Sequence, residues 1–229
     1  MRIGAIQKTS LLDFPGKVSA VVFTQGCNFL CPYCHNAGLV LCRDEPFVFT
    51  EVAAFLTKRK KVLEGVVVTG GEPALQSDLA DFCAFCKHLG YAVKLDTNGS
   101  RPEVLKRLLE LKLVDYVAMD IKADPRQYPK DICLGVLQGA ITRSMALLKE
   151  CRVAHEFRVP CVAPFIDAES FAVILELTGG IAPLFLQKVR QGRVLDPVFC
   201  SKKGRPLTFE EMEALQKQAV LCGQPCHIR

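Results

Sequence analysis

The sequence contains no apolar run of the roughly 18 residues that a membrane-spanning helix requires. Its first ten residues, MRIGAIQKTS, lack the basic and then apolar pattern of a secretory signal. It also lacks internal repeats and low-complexity linkers, and its 13 prolines and 16 glycines are too few for a collagen-like or disordered chain of 229 residues. We therefore expect a folded cytoplasmic protein without a membrane segment.

The chain has little excess charge of either sign. Its 29 lysines and arginines stand against 24 aspartates and glutamates, which gives a net charge of +5. Such a small excess argues only weakly for nucleic acid or acidic lipid, and we expect neither as a partner. Because half of the residues are hydrophobic, the length suits one well-filled domain over 1–229, with a core at about 15–190 and a C-terminal extension at 191–229.

Cysteine is the residue type present in excess. Twelve cysteines occur, yet the chain is too long and too apolar for a small disulfide scaffold. In a reducing compartment, a clustered set of cysteines is most simply a set of metal ligands.

Short apolar runs alternate with amphipathic stretches along the chain. Strands are predicted at 18–23, 66–69, 92–96, 116–120, 156–160 and 184–189, and helices at 51–64, 78–89, 102–112, 140–151, 168–178 and 209–222. Thr50 is expected to cap the first of these helices and Gly65 to end it, and the capping-box spacing of Thr208 and Glu211 is expected to start the last. The segment 190–207 is predicted to be a surface loop. Eight strand–helix units would close a barrel, so six predict an α/β fold with mostly parallel strands, a partial (β/α)6 TIM-type barrel. A doubly wound sheet would give a similar pattern.

Most of the unusual polar and glycine clusters directly follow a predicted strand. They are T-Q-G-C-N-F-L-C-P-Y-C-H-N (24–36), G-G-E-P (70–73), D-T-N-G (96–99) and D-I-K (120–122). Because ligands bind at the carboxyl ends of parallel strands in either kind of α/β sheet, these clusters predict a binding site at one rim.

Cys27, Cys31 and Cys34 form a C-x3-C-x2-C motif in the first of these clusters. Three thiolates within eight residues suit zinc or an iron–sulfur cluster. Zinc requires a fourth ligand, for which His35 is the near candidate, although adjacent residues rarely both reach one tetrahedral ion. Three ligands on a four-iron cluster would instead leave one iron open for a substrate or cofactor.

The segment C-N-F-L-C-P-Y-C resembles the signature of the radical S-adenosylmethionine (SAM) enzymes. The resemblance extends over most of 5–165, through L-D-F-P-G-K (12–17), V-V-F-T-Q-G-C-N-F (21–29), G-G-E-P, K-L-D-T-N-G and Y-V-A-M-D-I-K. Together these motifs resemble the glycyl-radical activating enzymes, and among them the activating proteins of anaerobic ribonucleoside-triphosphate reductase.

The resemblance implies a reaction. Cys27, Cys31 and Cys34 would hold a 4Fe-4S cluster whose open iron binds SAM, and an electron from a donor such as a flavodoxin-like protein would cleave SAM to methionine and a 5′-deoxyadenosyl radical. That radical would take a hydrogen atom from a glycine of the partner, an anaerobic ribonucleotide reductase, and leave a glycyl radical there.

The resemblance also implies roles for side chains of the predicted rim. Residues expected near SAM are Tyr33, Cys34, His35, Asn36, Gly70, Gly71, Glu72, Asp96, Asn98, Asp120 and Lys122, and those expected at a candidate monovalent cation site are Asp96, Thr97, Met119 and Asp120. Simpler interpretations remain open: G-G-E-P as a plain turn, D-T-N-G as an Asx-turn, and Asp120 with Lys122 as a solvated ion pair. Asp13 is a weaker candidate for contact with the partner, and Arg158 for contact with a carboxylate.

Two features of the sequence fit the resemblance less well. The sixth strand ends in Q-K-V-R (187–190), where a residue that contacts SAM is expected, so that contact is unassigned. Several activating enzymes also insert a ferredoxin-like block of extra cysteines, and nothing of that spacing interrupts 35–65 here. The remaining cysteines have no assigned role, although Cys222 and Cys226 with His227 could form part of a metal site with Cys200 or Cys42, and Cys83 with Cys86 fits core packing. Two other functions stay open: a radical SAM enzyme for a small molecule such as a deazapurine precursor or a sugar, and a non-catalytic zinc or iron–sulfur module.

Overall fold

A computed structural model of the chain describes residues 1–43, 45–135, 139–190 and 192–229. These residues form two compact units that alternate along the sequence. Unit 1 comprises Met1–Asn28, Gly38–Thr97 and Glu103–Val117, and unit 2 comprises Phe29–Ala37, Asn98–Pro102 and Ala118–Arg229. The prediction of one domain over 1–229 stays a prediction.

The described residues contain ten strands and eight α-helices. The strands are Ile3–Ser10 (β1), Ser19–Thr24 (β2), Gly65–Gly70 (β3), Ala92–Thr97 (β4), Tyr116–Asp120 (β5), Ala154–Pro160 (β6), Val162–Ala163 (β7), Leu184–Gln187 (β8), Arg205–Pro206 (β9) and Cys226–Ile228 (β10). The helices are Ala37–Val40 (α1), Phe49–Arg59 (α2), Leu79–His88 (α3), Pro102–Glu110 (α4), Ala140–Glu150 (α5), Ala168–Thr178 (α6), Pro197–Lys202 (α7) and Phe209–Leu221 (α8).

In unit 1, β2, β3 and β4 pair in parallel, and β1 pairs antiparallel with β2. Val66, Val67 and Val68 of β3 are all fully buried. Consecutive β-branched residues of this kind fill both faces of a covered parallel strand, which is why the apolar run was recognisable in the sequence. β1 was not predicted, because I-G-A-I-Q-K-T-S has neither a continuous apolar run nor a clean alternation.

Two predicted helix boundaries in unit 1 are wrong. Thr50 does not cap α2, which begins one residue earlier, after Val48, and has no side-chain cap. Gly65 does not end that helix but opens β3, where a Cβ atom would lie 2.8 Å from the Phe14 ring. Close packing against an aromatic ring, rather than helix termination, therefore accounts for this glycine.

In unit 2, β6, β8 and β10 pair in parallel, and the short β7 and β9 pair antiparallel. Along β8, Leu184 and Leu186 are fully buried, while Phe185 and Gln187 are partly exposed on the other face. The capping box of Thr208 and Glu211 starts α8, as predicted. The predicted α/β class with mostly parallel strands is confirmed by the pairings in both units.

The segment 190–207 is not simply a surface loop. It contains α7, which the Asp196 side chain caps by accepting a hydrogen bond from the Phe199 amide, with Pro197 at the first helical position. Its last residues form β9. With only six residues, this helix is too short for a helical period to show in the sequence.

Among the described residues, no helix combines the length and apolar character needed to cross a bilayer.

Candidate active site

The G-G-E turn of unit 1 packs directly on the backbone that precedes Cys27. The Gly71 amide donates to the Thr24 carbonyl and the Glu72 amide donates to the Gly26 carbonyl, each at 2.8 Å. A Cβ atom at Gly71 would lie 2.1 Å from the Gly26 oxygen, and Gly70 has a φ of +117°. Only glycine fits this approach, so both glycines are required to bring two segments of the chain together.

Glu72 is a buried carboxylate held by its own unit. Its Oε1 accepts hydrogen bonds from the Ala74 amide at 3.0 Å and from the Thr97 hydroxyl at 2.7 Å. The first bond stabilises the 3-10 turn Pro73–Leu75, as the plain-turn interpretation predicts. The second fixes one carboxylate oxygen against the end of β4. A role in binding the SAM ammonium stays a prediction.

Lys94 is a residue of unit 1 that sequence analysis missed. Its Nζ lies 2.6 Å from Asp96 Oδ1, and its side chain is only 3% exposed. It also lies over the Tyr116 ring, with Nζ 5.9 Å from the centroid. The spacing of Lys94 and Asp96 could have indicated this pair, because residues two apart on a strand project to the same face.

Cys31 and Cys34 belong to unit 2, where they flank a tight turn. The Cys34 amide donates to the Cys31 carbonyl at 2.9 Å. Burial raises the pKa of the Cys31 thiol to about 11, and the Lys122 ammonium offsets part of that rise. None of the twelve cysteines, all of which lie in the described ranges, forms a disulfide. Reduced thiols, one of them beside a cation, are suitable donors for an iron–sulfur cluster, whose ligands must be thiolates.

Asp120 and Lys122, of the D-I-K motif, form an ion pair in unit 2. Lys122 Nζ donates to Asp120 Oδ2 at 3.0 Å, and Asp120 Oδ1 lies 3.1 Å from Arg158 Nε. Burial, the largest single effect, would lower the pKa of Lys122, but the Asp120 carboxylate together with Cys31 and Tyr128 raises it above its ordinary value. Lys122 therefore stays charged. The predicted projection of both side chains to one side is confirmed, and Asp120 is a carboxylate that Arg158 reaches.

Tyr128 supports the same pair and was not predicted. Its hydroxyl oxygen accepts a hydrogen bond from the Lys122 amide at 2.9 Å, and its ring lies 5.4 Å from that of Phe29. Burial raises the pKa of Tyr128 above its ordinary value, which keeps the phenol neutral. Tyr128 falls in a stretch without helical or strand periodicity, so no local pattern distinguished it from its neighbours.

Unit 2 contains a cavity of about 390 Å3 beside the cysteine turn. This volume suits a small cofactor. Its wall combines residues from the cysteine loop, from the end of β5 and from the end of β8, namely Tyr33, Cys34, His35, Asn36, Asp120, Pro160, Gln187, Lys188, Val189 and Arg190. The unassigned Q-K-V-R segment of the sixth predicted strand therefore lines the same cavity as Cys34 and Asp120.

Tyr33 and His35 also contact the segment after β8. The Tyr33 ring lies 5.8 Å from that of Phe165, and it lines a second cavity of about 310 Å3 together with Val189 and Arg190. His35 is exposed, and its Nδ1 lies 3.1 Å from the Arg193 carbonyl oxygen. Both side chains thus have contacts within unit 2 that need no ligand, and their roles near SAM stay predictions.

The other predicted site residues are divided between the units. Asp96 and Thr97 lie in unit 1, and Asn98, Met119 and Asp120 lie in unit 2. Asn98 Oδ1 accepts a hydrogen bond from the Ser100 amide, which is the predicted Asx-turn. The SAM contacts and the monovalent cation site stay predictions. Among the described residues, no three His, Cys, Asp or Glu side chains form a group that would hold a single metal ion.

Asp13 lies far from the cysteine loop within unit 1. It follows β1 and precedes β2, and Ser10 Oγ donates to its carboxylate at 2.5 Å. This turn is at the amino end of β2, whereas Gly26 and Cys27 follow the carboxyl end. The six residues of β2 separate the two ends by roughly 17 Å. A contact of Asp13 with the partner stays a prediction.

Comparison with known proteins identifies the family. Residues 21–174 match the model of the radical SAM superfamily. A Methanocaldococcus jannaschii protein, named as a proposed glycyl-radical enzyme activating enzyme, is 34% identical over 73% of this chain and 71% of its own length. The pyruvate formate-lyase-activating enzyme of Listeria monocytogenes is 33% identical over 53% of each chain, so this chain spans about half of that relative.

Solved structures of other proteins share the fold of this chain. A radical SAM methyltransferase from Sphaerobacter thermophilus matches 96% of this chain and 68% of its own, with a TM-score of 0.70 and 14% identity. Streptococcus suis SuiB matches 91% of this chain and 48% of its own, with a TM-score of 0.66 and 12% identity. At such identities only the fold is shared, and the predicted fold class, the partial-barrel α/β type of radical SAM proteins, is confirmed. The chain belongs to the radical SAM superfamily and, within it, to the glycyl-radical enzyme activating enzymes.

Proposed function

We propose that this enzyme, acting in the cytoplasm as one radical SAM domain, takes a hydrogen atom from a backbone glycine of an anaerobic ribonucleotide reductase, with a flavodoxin-like protein as electron donor. The observation that carries the proposal is the larger cavity of unit 2. Its wall combines Cys34 of the three-cysteine motif with Asp120 of the D-I-K motif. Two motifs that are 86 residues apart in the sequence therefore line one space of a size that suits a cofactor.

Cys27, Cys31 and Cys34 are the residues that we expect to hold a 4Fe-4S cluster. When bound, the cluster and SAM supply the electron and the 5′-deoxyadenosyl radical that the reaction needs. The chain must supply thiolates, and the Lys122 ammonium favours the thiolate form of Cys31. It must also limit the access of water, and Cys31 and Tyr33 are both buried.

The charged residues of unit 2 are suited to bind an amino acid group. Lys122 stays protonated beside Asp120, so the pair offers one cation and one carboxylate. A zwitterionic methionine end needs both signs of charge within a few ångströms. Gln187 and Arg190 in the cavity wall are the available candidates for the contact that the sequence left unassigned.

The test is anaerobic reconstitution with iron and sulfide, followed by reduction in the presence of SAM and the reductase from the same organism. We expect a glycine-centred radical in the electron paramagnetic resonance (EPR) spectrum and one 5′-deoxyadenosine for each radical formed. Cys31→Ala should lose cluster and radical together, whereas Cys222→Ala, which changes an exposed cysteine, should retain both.

Two other outcomes would overturn the proposal. Formation of 5′-deoxyadenosine together with a modified small molecule, and no radical on the reductase, would indicate a radical SAM enzyme with a metabolite substrate. A relative of Saccharolobus solfataricus named as a probable GTP 3′,8-cyclase, 32% identical over 49% of this chain, makes nucleotides the first metabolites to try. A protein that binds zinc, or a cluster that never cleaves SAM, would indicate a non-catalytic metal module.

A further inference from the structure

Five charged side chains form an alternating series on one face of the strands in unit 2. Arg229 Nη1 lies 3.5 Å from Glu156 Oε1, and Glu156 Oε1 lies 3.7 Å from Arg158 Nε. The same Arg158 nitrogen lies 3.1 Å from Asp120 Oδ1, and Asp120 Oδ2 lies 3.0 Å from Lys122 Nζ. The series therefore runs from Arg229 to the D-I-K motif with the sign of the charge changing at every step.

Glu156 is the most deeply buried member of the series, with a side chain that is 2% exposed. A buried carboxylate is costly unless cations compensate it. Arg158 is on the same face of β6, two residues further along the strand. Arg229 is positioned by backbone hydrogen bonds to Leu186 and Lys188 and by its guanidinium, which lies 3.5 Å from the Phe185 ring centroid.

The Arg158 guanidinium lies between two carboxylates, and this determines how Glu156 can act at a distance. Glu156 attracts Arg158 from one side and Asp120 attracts it from the other. With Glu156 neutral, Arg158 would lose a carboxylate neighbour and would draw more strongly on Asp120. The position of the Lys122 ammonium relative to the Asp120 carboxylate would then change. A charge change at Glu156 therefore reaches the wall of the larger cavity, where Asp120 lies.

We propose that Glu156 is a positioning residue, whose buried carboxylate holds Arg158 and, through it, the Asp120–Lys122 pair in the geometry that receives SAM. This inference rests on the proposed function, because it assumes that SAM binds beside Asp120. Among the described contacts, Glu156 touches neither the cysteine loop nor the cavity wall, so its role would be indirect. Of these five groups, three are cations and two are anions, so the series as a whole carries one net positive charge.

The test is a double-mutant cycle on SAM binding. The dissociation constant of SAM is measured by equilibrium dialysis on reconstituted wild type, Glu156→Gln, Lys122→Met and the double variant. We expect Glu156→Gln to weaken binding about tenfold, which corresponds to about 1.4 kcal/mol. If Glu156 acts through the pair, its effect should largely disappear in the Lys122→Met background, because residues in one ion-pair network are not additive.

A second measurement uses the EPR spectrum of the reduced cluster. Addition of SAM to the wild type should change the EPR spectrum of the cluster, and Glu156→Gln should shift the SAM concentration at which that change is half complete by the same factor. The matched control is Glu176→Gln. Glu176 also pairs with an arginine of unit 2, Arg126, at 2.7 Å, but it is 64% exposed and outside the series. We expect this control to bind SAM like the wild type.

Each outcome decides a different question. Unchanged SAM binding in Glu156→Gln, or an equal loss with and without Lys122, would overturn the positioning role. A wild type that holds a cluster but binds no SAM would instead overturn the proposed function.

If Glu156→Gln does not fold, Arg229→Met replaces it in the cycle. Without Arg229, Glu156 would attract Arg158 more strongly and draw it away from Asp120, so we expect SAM binding to weaken about threefold.

Discussion

Lys94 shows what one buried charge contributes at the scale of a residue. Its Nζ is 2.6 Å from Asp96, and its side chain is 3% exposed. Lys94→Met would leave the Asp96 carboxylate without this cation, and we expect the free energy of unfolding to fall by about 3 kcal/mol. Denaturant unfolding of the cluster-free protein at neutral pH measures the change.

The control for that substitution is Lys87→Met. Lys87 forms an equally short ion pair with Asp115, but the two side chains are 33% and 38% exposed. Water and salt screen such a pair, so we expect a loss of about 0 to 1 kcal/mol. Equal losses for the two variants would show that burial does not determine how much the Lys94–Asp96 pair contributes to the free energy of unfolding.

The sequence predicted single residues well where the pattern is local. The i, i+2 spacing of D-I-K was enough to predict that Asp120 and Lys122 project to one side. It was not enough to predict their neighbours. Arg158 lies 38 residues beyond Asp120, and Arg229 lies 73 residues beyond Glu156, so only the pairing of the strands reveals the series of charges.

At the scale of the element, α8 illustrates how a short motif fixes a helix start. Thr208 and Glu211 exchange capping hydrogen bonds, and Arg205 binds the Glu211 carboxylate at 2.7 Å through two nitrogens. Hydrogen bonds from Arg205 and from the Thr208 amide lower the pKa of Glu211 to about 2. The folded state therefore favours the charged form of this side chain.

The pH dependence of this contribution follows from the lowered pKa. Because the folded pKa is below the ordinary value of 4.5, the carboxylate contributes stability above about pH 4.5 and loses it as the pH falls toward 2. We expect Glu211→Gln to lower the free energy of unfolding by about 0.5 to 1 kcal/mol at pH 7, with screening included. The difference from wild type should shrink between pH 5 and 3. Glu213→Gln removes a similar charge outside the capping box and should show no such pattern.

Other elements could not be predicted, for reasons that differ. β1 is an edge strand whose exposed residues carry no apolar pattern. α7 has only six residues, too few for a helical period to show, although D-P at 196–197 is a recognisable helix start. α2 begins without any side-chain cap, so the polar residue nearest its start, Thr50, was misleading.

At the scale of the whole molecule, the alternation of strands and helices was sufficient to predict an α/β fold with mostly parallel strands, but it did not distinguish a partial barrel from a doubly wound sheet. The division into two units was not predictable, because each unit is assembled from three separate segments of the sequence. Local patterns of hydrophobicity describe one element at a time. Which elements share a unit depends on packing between distant segments, and only the structure reports it.

The twelve cysteines lead to a prediction for the complete chain. If the motif cysteines hold one 4Fe-4S cluster, reconstituted protein should contain about four iron atoms and four sulfides per chain. Cys34→Ser should lose most of this iron. Cys222→Ser, at an exposed position, and Cys83→Ser, in the core, should retain it. Iron and sulfide analysis after gel filtration measures these contents. Loss of iron in Cys222→Ser would indicate a second metal centre.

The contact between Gly71 and Gly26 constrains how sequences of this kind can diverge. No side chain can replace the hydrogen at Gly71 unless the carbonyl of Gly26 moves, and that carbonyl belongs to the residue directly before Cys27. A substitution of Gly71 would thus require a compensating change in the backbone at Gly26. Across homologous chains, the two positions should vary jointly or not at all.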